Sequence, residues 1–264
     1  MISPADVAGE ILRRRGRSHL LLLCDFDGTL CEFNPSPEAV HLSDERRGLL
    51  ASLSARACCT VGLVTGRRLS DVRVRAGDIG DVYIAGFHGL EIESPHASFV
   101  HPDATGAAAA MKTIAARVAP AIRRLPGVFI EDKGLSLALH YRDAEPAHHV
   151  VAQSVFVDAA RADLDAGLLR LLPGSCVVEL LPNTSWNKGA AVDWIVDRVQ
   201  QEEGVPVFPV YIGDDVTDAP ALAAVRTTGV AIAASPRVTG GEFTVDGPAD
   251  VERLLAALDA ELHC

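Results

Sequence analysis

The chain has no C-x-x-C pair among its six cysteines and no Cys/His cluster with the spacing of a zinc site. A structural zinc centre is thereby excluded, and Cys24, Cys31, Cys58, Cys59, Cys176 and Cys264 read as buried, reduced thiols. No stretch comes near the roughly 20 consecutive apolar residues of a membrane-spanning helix. Arg13, Arg14 and Arg15 imitate the basic flank of a signal peptide, but the apolar run behind them is short and Asp25 ends it. The cytoplasm is the expected location. Positive charge is also scarce: 24 Lys and Arg stand against 35 Asp and Glu, a formal charge of −11. That balance opposes nucleic acid or a membrane surface as partner. It does not oppose an anionic small molecule held by a few local cations. The sequence has no internal repeat, and its one low-complexity tract is the alanine run at residues 107–110.

Apolar material, by contrast, is ample. Hydrophobic residues make up 48% of the 264 and charged residues 22%, enough to offset chain entropy in a folded core. The length suits one large domain, or a domain with an insert. Short unbroken apolar runs at residues 19–25, 58–64, 82–85, 208–212 and 229–233 predict buried parallel strands. Helices are expected behind a Ser43 cap, at 69–75, at 187–201, after Asp218 and at 249–262. This alternation implies a parallel sheet with right-handed crossovers. Between the two halves the pattern changes. Residues 89–93 with 98–101, and 127–131 with 135–141, alternate like hairpins; 104–124 and 147–164 read as helices, and 176–181 as a strand. The predicted fold class is therefore α/β: a Rossmann-like core with a parallel sheet from residues 1–103 and 184–264, and an inserted α+β domain at 104–183.

Doubly wound sheets bind ligands at the carboxyl ends of their strands, and four such points carry chemistry. Asp25-Phe26-Asp27-Gly28-Thr29-Leu30 leaves the first strand. Two carboxylates two residues apart on an extended exit can face one pocket. Asp25 is the candidate nucleophile, forming an acyl-phosphate, and Asp27 the candidate acid and base. Thr65-Gly66-Arg67 leaves the second strand, where a hydroxyl and free amides can hold a phosphoryl oxygen. Asn187-Lys188-Gly189 opens a helix, and a lysine there runs against the helix dipole, which suggests a role in neutralising phosphate. Gly213-Asp214-Asp215-Val216-Thr217-Asp218 puts three acids after an apolar strand; a hard cation such as Mg²⁺ would relieve their repulsion, while Thr217 or Asp218 acting as an N-cap is the rival role.

In this order, the four points resemble the haloacid-dehalogenase superfamily of aspartate-nucleophile phosphatases. The resemblance implies that Thr65 and Lys188 hold the phosphoryl group, with Gly66 and Arg67 beside it. It further implies Mg²⁺ on the Asp25 carboxylate, the Asp27 carbonyl and the Asp214 carboxylate, with Asp215 in support. Glu131, Lys133, His140, Tyr141 and Arg142 match the pattern E-x-K-x(6)-H-Y-R, and Gly86-Phe87-His88-Gly89 and Val177-Val178-Glu179-Leu180 accompany it. The set resembles the trehalose-6-phosphate phosphatase family over almost the whole chain. By that resemblance the insert is a cap of the C2 type. Glu131, Lys133, Arg142 and Glu179 hold the sugar without phosphate, and His88 lies near the phosphorylated one. The implied enzyme is a phosphoric monoester hydrolase acting on a small sugar phosphate, as a monomer or small homo-oligomer. Two departures are visible: Asp218-Ala219-Pro220 lacks the family's following acidic pair, and Phe87 stands where a polar residue is usual. A phosphatase for a trehalose-like pseudo-disaccharide phosphate, or a sugar phosphomutase, is the alternative.

Overall fold

Leu20, Leu21, Leu22 and Leu23 have no solvent exposure, which requires cover on both faces of their strand. The computed structural model, which describes residues 2–34, 36–174 and 176–264, supplies that cover. Strand β1 (His19–Cys24) lies at the middle of an eight-stranded sheet. The other strands are β2 (Cys59–Val64), β3 (Val82–Gly86), β4 (Glu91–Glu93) and β5 (Ser98–Val100), then β10 (Val207–Gly213), β11 (Val230–Ala233) and β12 (Phe243–Thr244). Their spatial order is β12-β11-β10-β1-β2-β3-β4-β5. β12 through β3 are parallel, and β4 runs antiparallel to β3.

Helices α1 (Pro4–Arg15), α2 (Asp44–Ser54), α3 (Leu69–Ala76) and α8 (Gly247–Glu261) pack with Leu20 and Leu22 on one face. Helices α6 (Lys188–Glu203) and α7 (Ala219–Val225) pack with Leu21 and Leu23 on the other. Strands and helices fall where the apolar rhythm places them, with two additions. α1 was masked in the sequence by its three arginines, although Ser3 caps it by accepting the Asp6 N–H at 3.1 Å. β12 is only two residues long.

The chain divides into two compact units: residues up to Phe99 with Trp186–Cys264, and Val100–Ser185. The second unit has an antiparallel sheet in the order β6-β7-β9-β8, made of β6 (Phe129–Asp132), β7 (Leu137–His140), β8 (Leu169–Gly174) and β9 (Val177–Pro182). Helices α4 (Pro102–Ile122) and α5 (Pro146–Asp165) close its core, with Met111, Ile114 and Phe156 against Leu137, Leu139 and Leu180. β8 was not expected, since it is mostly exposed and ends in Pro173-Gly174. Register sets Glu131, Ala138, Glu179 and Leu172 in one cross-strand row.

The expectation of six reduced thiols fails at one pair. Cys58 and Cys264, 206 residues apart, form a disulfide, because the fold brings the end of α8 beside the start of β2. Cys24, Cys31 and Cys59 are free and buried, and Cys176 is free and half-buried. Among the described residues, no helix is long and apolar enough to cross a membrane.

Candidate active site

β1 and β10 end side by side, Cys24 opposite Ile212, so Asp25 and Asp214 leave the sheet as neighbours. Asp25 is 5% exposed and Asp214 7%. Gly28 has φ of +88°, a region that a residue with a side chain enters only under strain. A Cβ there would also fall 2.6 Å from the Asp214 carboxyl carbon. The Thr29 hydroxyl donates to Asp214 Oδ1 at 3.2 Å. The turn after β1 is thus fitted against the acid that ends β10.

Asn187 caps α6, its side chain accepting from the N–H groups of Gly189 and Ala190 at 2.9 and 3.2 Å. This leaves the next side chain, Lys188, pointing into the interior. Its Nζ donates to Asp25 Oδ1 at 2.6 Å and to Asp218 Oδ1 at 2.7 Å. Asp218 has no exposure. Its Oδ1 also accepts from the Tyr211 hydroxyl at 2.6 Å, and its Oδ2 from the N–H groups of Asp214 and Asp215 at 3.1 and 3.0 Å. Burial, reinforced by the Asp218 charge and opposed by Lys188, pushes the Asp25 carboxyl up to about 8. Burial also raises Asp214, with Asp218 and Asp215 adding to it. Lys188 is held above its ordinary range by Asp25 and Asp218 in spite of its burial.

One ammonium therefore serves three buried carboxylates. Asp25, Asp214 and Asp218 each present an oxygen within 4.8 Å of the others. Such an excess of hard oxygen donors could hold a divalent metal ion. Asp218 is committed on both oxygens to protein donors, which leaves Asp25 and Asp214 as the better ligands.

Thr65, just past β2, is 1% exposed. Its carbonyl accepts from the His88 N–H at 2.8 Å, and the Arg67 carbonyl from the Phe87 N–H at 2.9 Å. Phe87 and His88 have φ of +48° and +59°, two consecutive left-handed residues without glycine. That turn sets the His88 ring over Gly66, where a Cβ would lie 2.8 Å from the ring's Cε1. Arg67 reaches Asp27 through both carboxylate oxygens, at 2.6 Å each, and Asp71 at 2.7 Å. Burial disfavours the Arg67 charge, but Asp27 and Asp71 more than restore it, so the guanidinium stays charged. Asp71 is held in turn by Arg75 at 2.7 Å.

The structure thus brings Asp25, Lys188, Asp214 and Asp218 into one buried cluster. Arg67, expected beside the phosphoryl group, grips Asp27. Asp215 is exposed and meets the cluster through its N–H. In the second unit, Lys133 Nζ donates to Glu179 Oε1 at 3.0 Å, and the Ser136 hydroxyl reaches the same oxygen at 2.5 Å. Glu131 pairs with His140 at 3.0 Å, and the His140 ring stacks on Phe129 at 4.6 Å. Arg142 lies exposed beyond β7. Sequence reasoning missed Tyr211, and it left Asp218 between one of three acids around a cation and a helix cap. The available signal was that Asp218 falls five residues after an apolar strand with a tyrosine inside it.

A family model described as trehalose-phosphatase matches residues 23–248. An uncharacterised glycosyl hydrolase of Mycobacterium tuberculosis is 37% identical over 250 residues, covering 90% of this chain and 18% of that protein. A trehalose-phosphate phosphatase of Mycobacterium ulcerans is 34% identical over 244 residues, covering 90% of this chain and 61% of that protein. The chain thus spans about three-fifths of the curated phosphatase and about a fifth of the hydrolase. Among solved structures, the C-terminal domain of C. albicans trehalose-6-phosphate phosphatase has a TM-score of 0.71 at 21% identity, covering 99% of this chain and 100% of that one. This last similarity is one of fold.

Proposed function

The chain belongs to the trehalose-phosphatase family, and from that premise we propose that it is a Mg²⁺-dependent phosphatase releasing trehalose and phosphate from trehalose 6-phosphate. The observation that carries this reading is the buried Asp25–Lys188–Asp218 chain, which holds one Asp25 carboxylate oxygen on the Lys188 ammonium. The Asp25 oxygen that Lys188 does not hold attacks phosphorus, forming an acyl-phosphate as the bond to the sugar oxygen breaks. Asp27, once released from one Arg67 contact, gives its proton to that leaving oxygen. It then takes a proton from water, whose oxygen attacks phosphorus and frees Asp25 as phosphate departs. Thr65 and Lys188 hold the phosphoryl oxygens meanwhile. Asp25, Asp214 and the Asp27 carbonyl would hold Mg²⁺, which would supply the positive charge to offset the phosphate dianion beside three carboxylates.

The core residues fix the reaction, and the substrate falls to the second unit, read here as the cap. Glu131, Lys133, Arg142 and Glu179 offer charge-assisted hydrogen bonds to the hydroxyls of the sugar without phosphate. His88, over Gly66, takes the phosphorylated one. The experiment is phosphate release from trehalose 6-phosphate, before and after exhaustive EDTA treatment and with Mg²⁺ or Ca²⁺ restored. Release only with Mg²⁺ is expected, since Ca²⁺ takes carboxylates in bidentate fashion and would occupy both Asp25 oxygens. Full activity in EDTA would overturn the metal assignment.

A further inference from the structure

Asp71 lies in the first turn of α3, where an acid ordinarily serves the positive helix end. Its two oxygens are spent on guanidinium groups instead: Oδ2 accepts from Arg67 Nη1 and Oδ1 from Arg75 Nε, each at 2.7 Å. Arg67 gives different atoms to Asp27, Nε to Oδ2 and Nη2 to Oδ1. Arg75 is anchored at its far end, where Nη1 donates to the carbonyls of Glu38 and Val40. One line of charges therefore runs from Asp27 through Arg67, Asp71 and Arg75 to the loop at residues 38–40, all within the first unit. The side chains of both arginines are only 11% exposed, so water and salt screen these contacts little.

The line bears on Asp27 because that residue must let go of Arg67 to reach the leaving oxygen. A bidentate pair on a nearly buried guanidinium is a strong contact, and it opposes that release. Asp71 divides the one cation between two carboxylates, so the hold on Asp27 is weaker than Arg67 alone would exert. It also keeps the guanidinium in place when Asp27 turns away. Nη1 retains its partner, and the Phe26 ring lies 5.8 Å from the guanidinium carbon. We propose that Asp71 is a positioning residue for phosphoryl transfer: it retains Arg67 at the start of α3 while Asp27 serves the leaving group, and Arg75 steadies Asp71 in turn. The proposal rests on the phosphatase reading above, in which Asp27 protonates the leaving oxygen. Without Asp71, Arg67 would stay clamped on Asp27 or follow it into the site, and esters whose leaving group needs a proton would suffer most.

The test measures kcat/KM on trehalose 6-phosphate, phenyl phosphate and p-nitrophenyl phosphate for the wild type, Asp71→Asn, Asp71→Glu and Arg75→Lys. p-Nitrophenolate departs without a proton, whereas phenolate and, still more, a sugar alkoxide need one. Asp71→Asn should lower the ratio of kcat/KM on trehalose 6-phosphate to that on p-nitrophenyl phosphate by about tenfold or more. It should lower the ratio of phenyl to p-nitrophenyl phosphate, where no sugar is present, by about threefold. Asp71→Glu, which keeps the charge, should restore part of both ratios, and Arg75→Lys, which gives up the fixed fork, should lower them less than Asp71→Asn does. A merely structural residue would slow all three esters alike. Unchanged ratios in Asp71→Asn therefore overturn the proposal, and if that variant melts early, unchanged ratios in Arg75→Lys do so. A fall on trehalose 6-phosphate with the aryl ratio unchanged would assign Asp71 to sugar binding and overturn it as well. A wild type active on the aryl esters but not on trehalose 6-phosphate overturns the disaccharide reading and leaves this one to the aryl ratio. Activity on none of the three overturns both.

Discussion

In the first unit Lys188, Asp25 and Asp218 expose 3%, 7% and 0% of their side chains. In the second, Lys133 and Glu179 expose 25% and 20%, and His140 and Glu131 expose 29% and 45%. Charges without water must be matched by their neighbours or not exist, so the buried cluster tolerates one arrangement. Charges at a half-wet surface interact weakly and can be exchanged without unfolding the sheet that bears them. The proposed function assigns reaction chemistry to the first kind of site and choice of substrate to the second.

The comparison breaks first at Asp25. Asp25→Asn keeps the shape of the side chain and removes the proposed nucleophile. A loss of at least a thousandfold in kcat, about 4 kcal/mol of barrier, is expected in a phosphate-release assay. A loss under tenfold would remove Asp25 from the chemistry. Next is Lys188→Ala, which strands two buried carboxylates. Urea unfolding should show about 3 kcal/mol of destabilisation beyond the lost activity, whereas Lys133→Ala should cost under about 1 kcal/mol. Similar costs at both lysines would erase the distinction between the sites. Smaller again is the effect of the disulfide. Cys264→Ser should lower stability by about 2 kcal/mol, read as the denaturation midpoint with and without reductant, while wild-type kcat is retained. The finest effect is one of selectivity: Glu131→Ala, Lys133→Ala and Glu179→Ala should each reduce kcat/KM on trehalose 6-phosphate about tenfold relative to acetyl phosphate. An equal loss on both substrates would move these residues out of sugar recognition.

The same contrast explains what was legible beforehand. β1, β2, β10 and β11 are mostly apolar because both faces of the sheet are covered, so their sequence needs no periodicity to be read. Asp25, Thr65, Lys188 and Asp214 each follow such a strand or open a helix beside one, and local order is enough to find them. β8 has one buried end and five residues facing water or half-facing it, so nothing in its composition marks it as a strand. Tyr211 and Asp218 were harder for another reason. A tyrosine inside an apolar strand looks like core filling, and only the fold shows its hydroxyl delivered to a carboxylate seven residues on. The grip of Arg67 on Asp27, and the meeting of Cys58 with Cys264, join residues 40 and 206 positions apart, which no local pattern records.

The Cys58–Cys264 bond has a topological consequence. It closes a covalent ring, and the whole of Val100–Ser185 lies on that ring. One backbone cut in an exposed part of the second unit, such as the turn at Gly134, opens the ring without dividing the molecule. The nicked chain would keep its full mass in a denaturing gel without reductant and separate into two pieces only when the disulfide is reduced. Even two cuts that excise the insert would leave both ends of the first unit tethered to each other. The second unit is thus carried on a ring whose flanking segments stay linked whether or not it is intact.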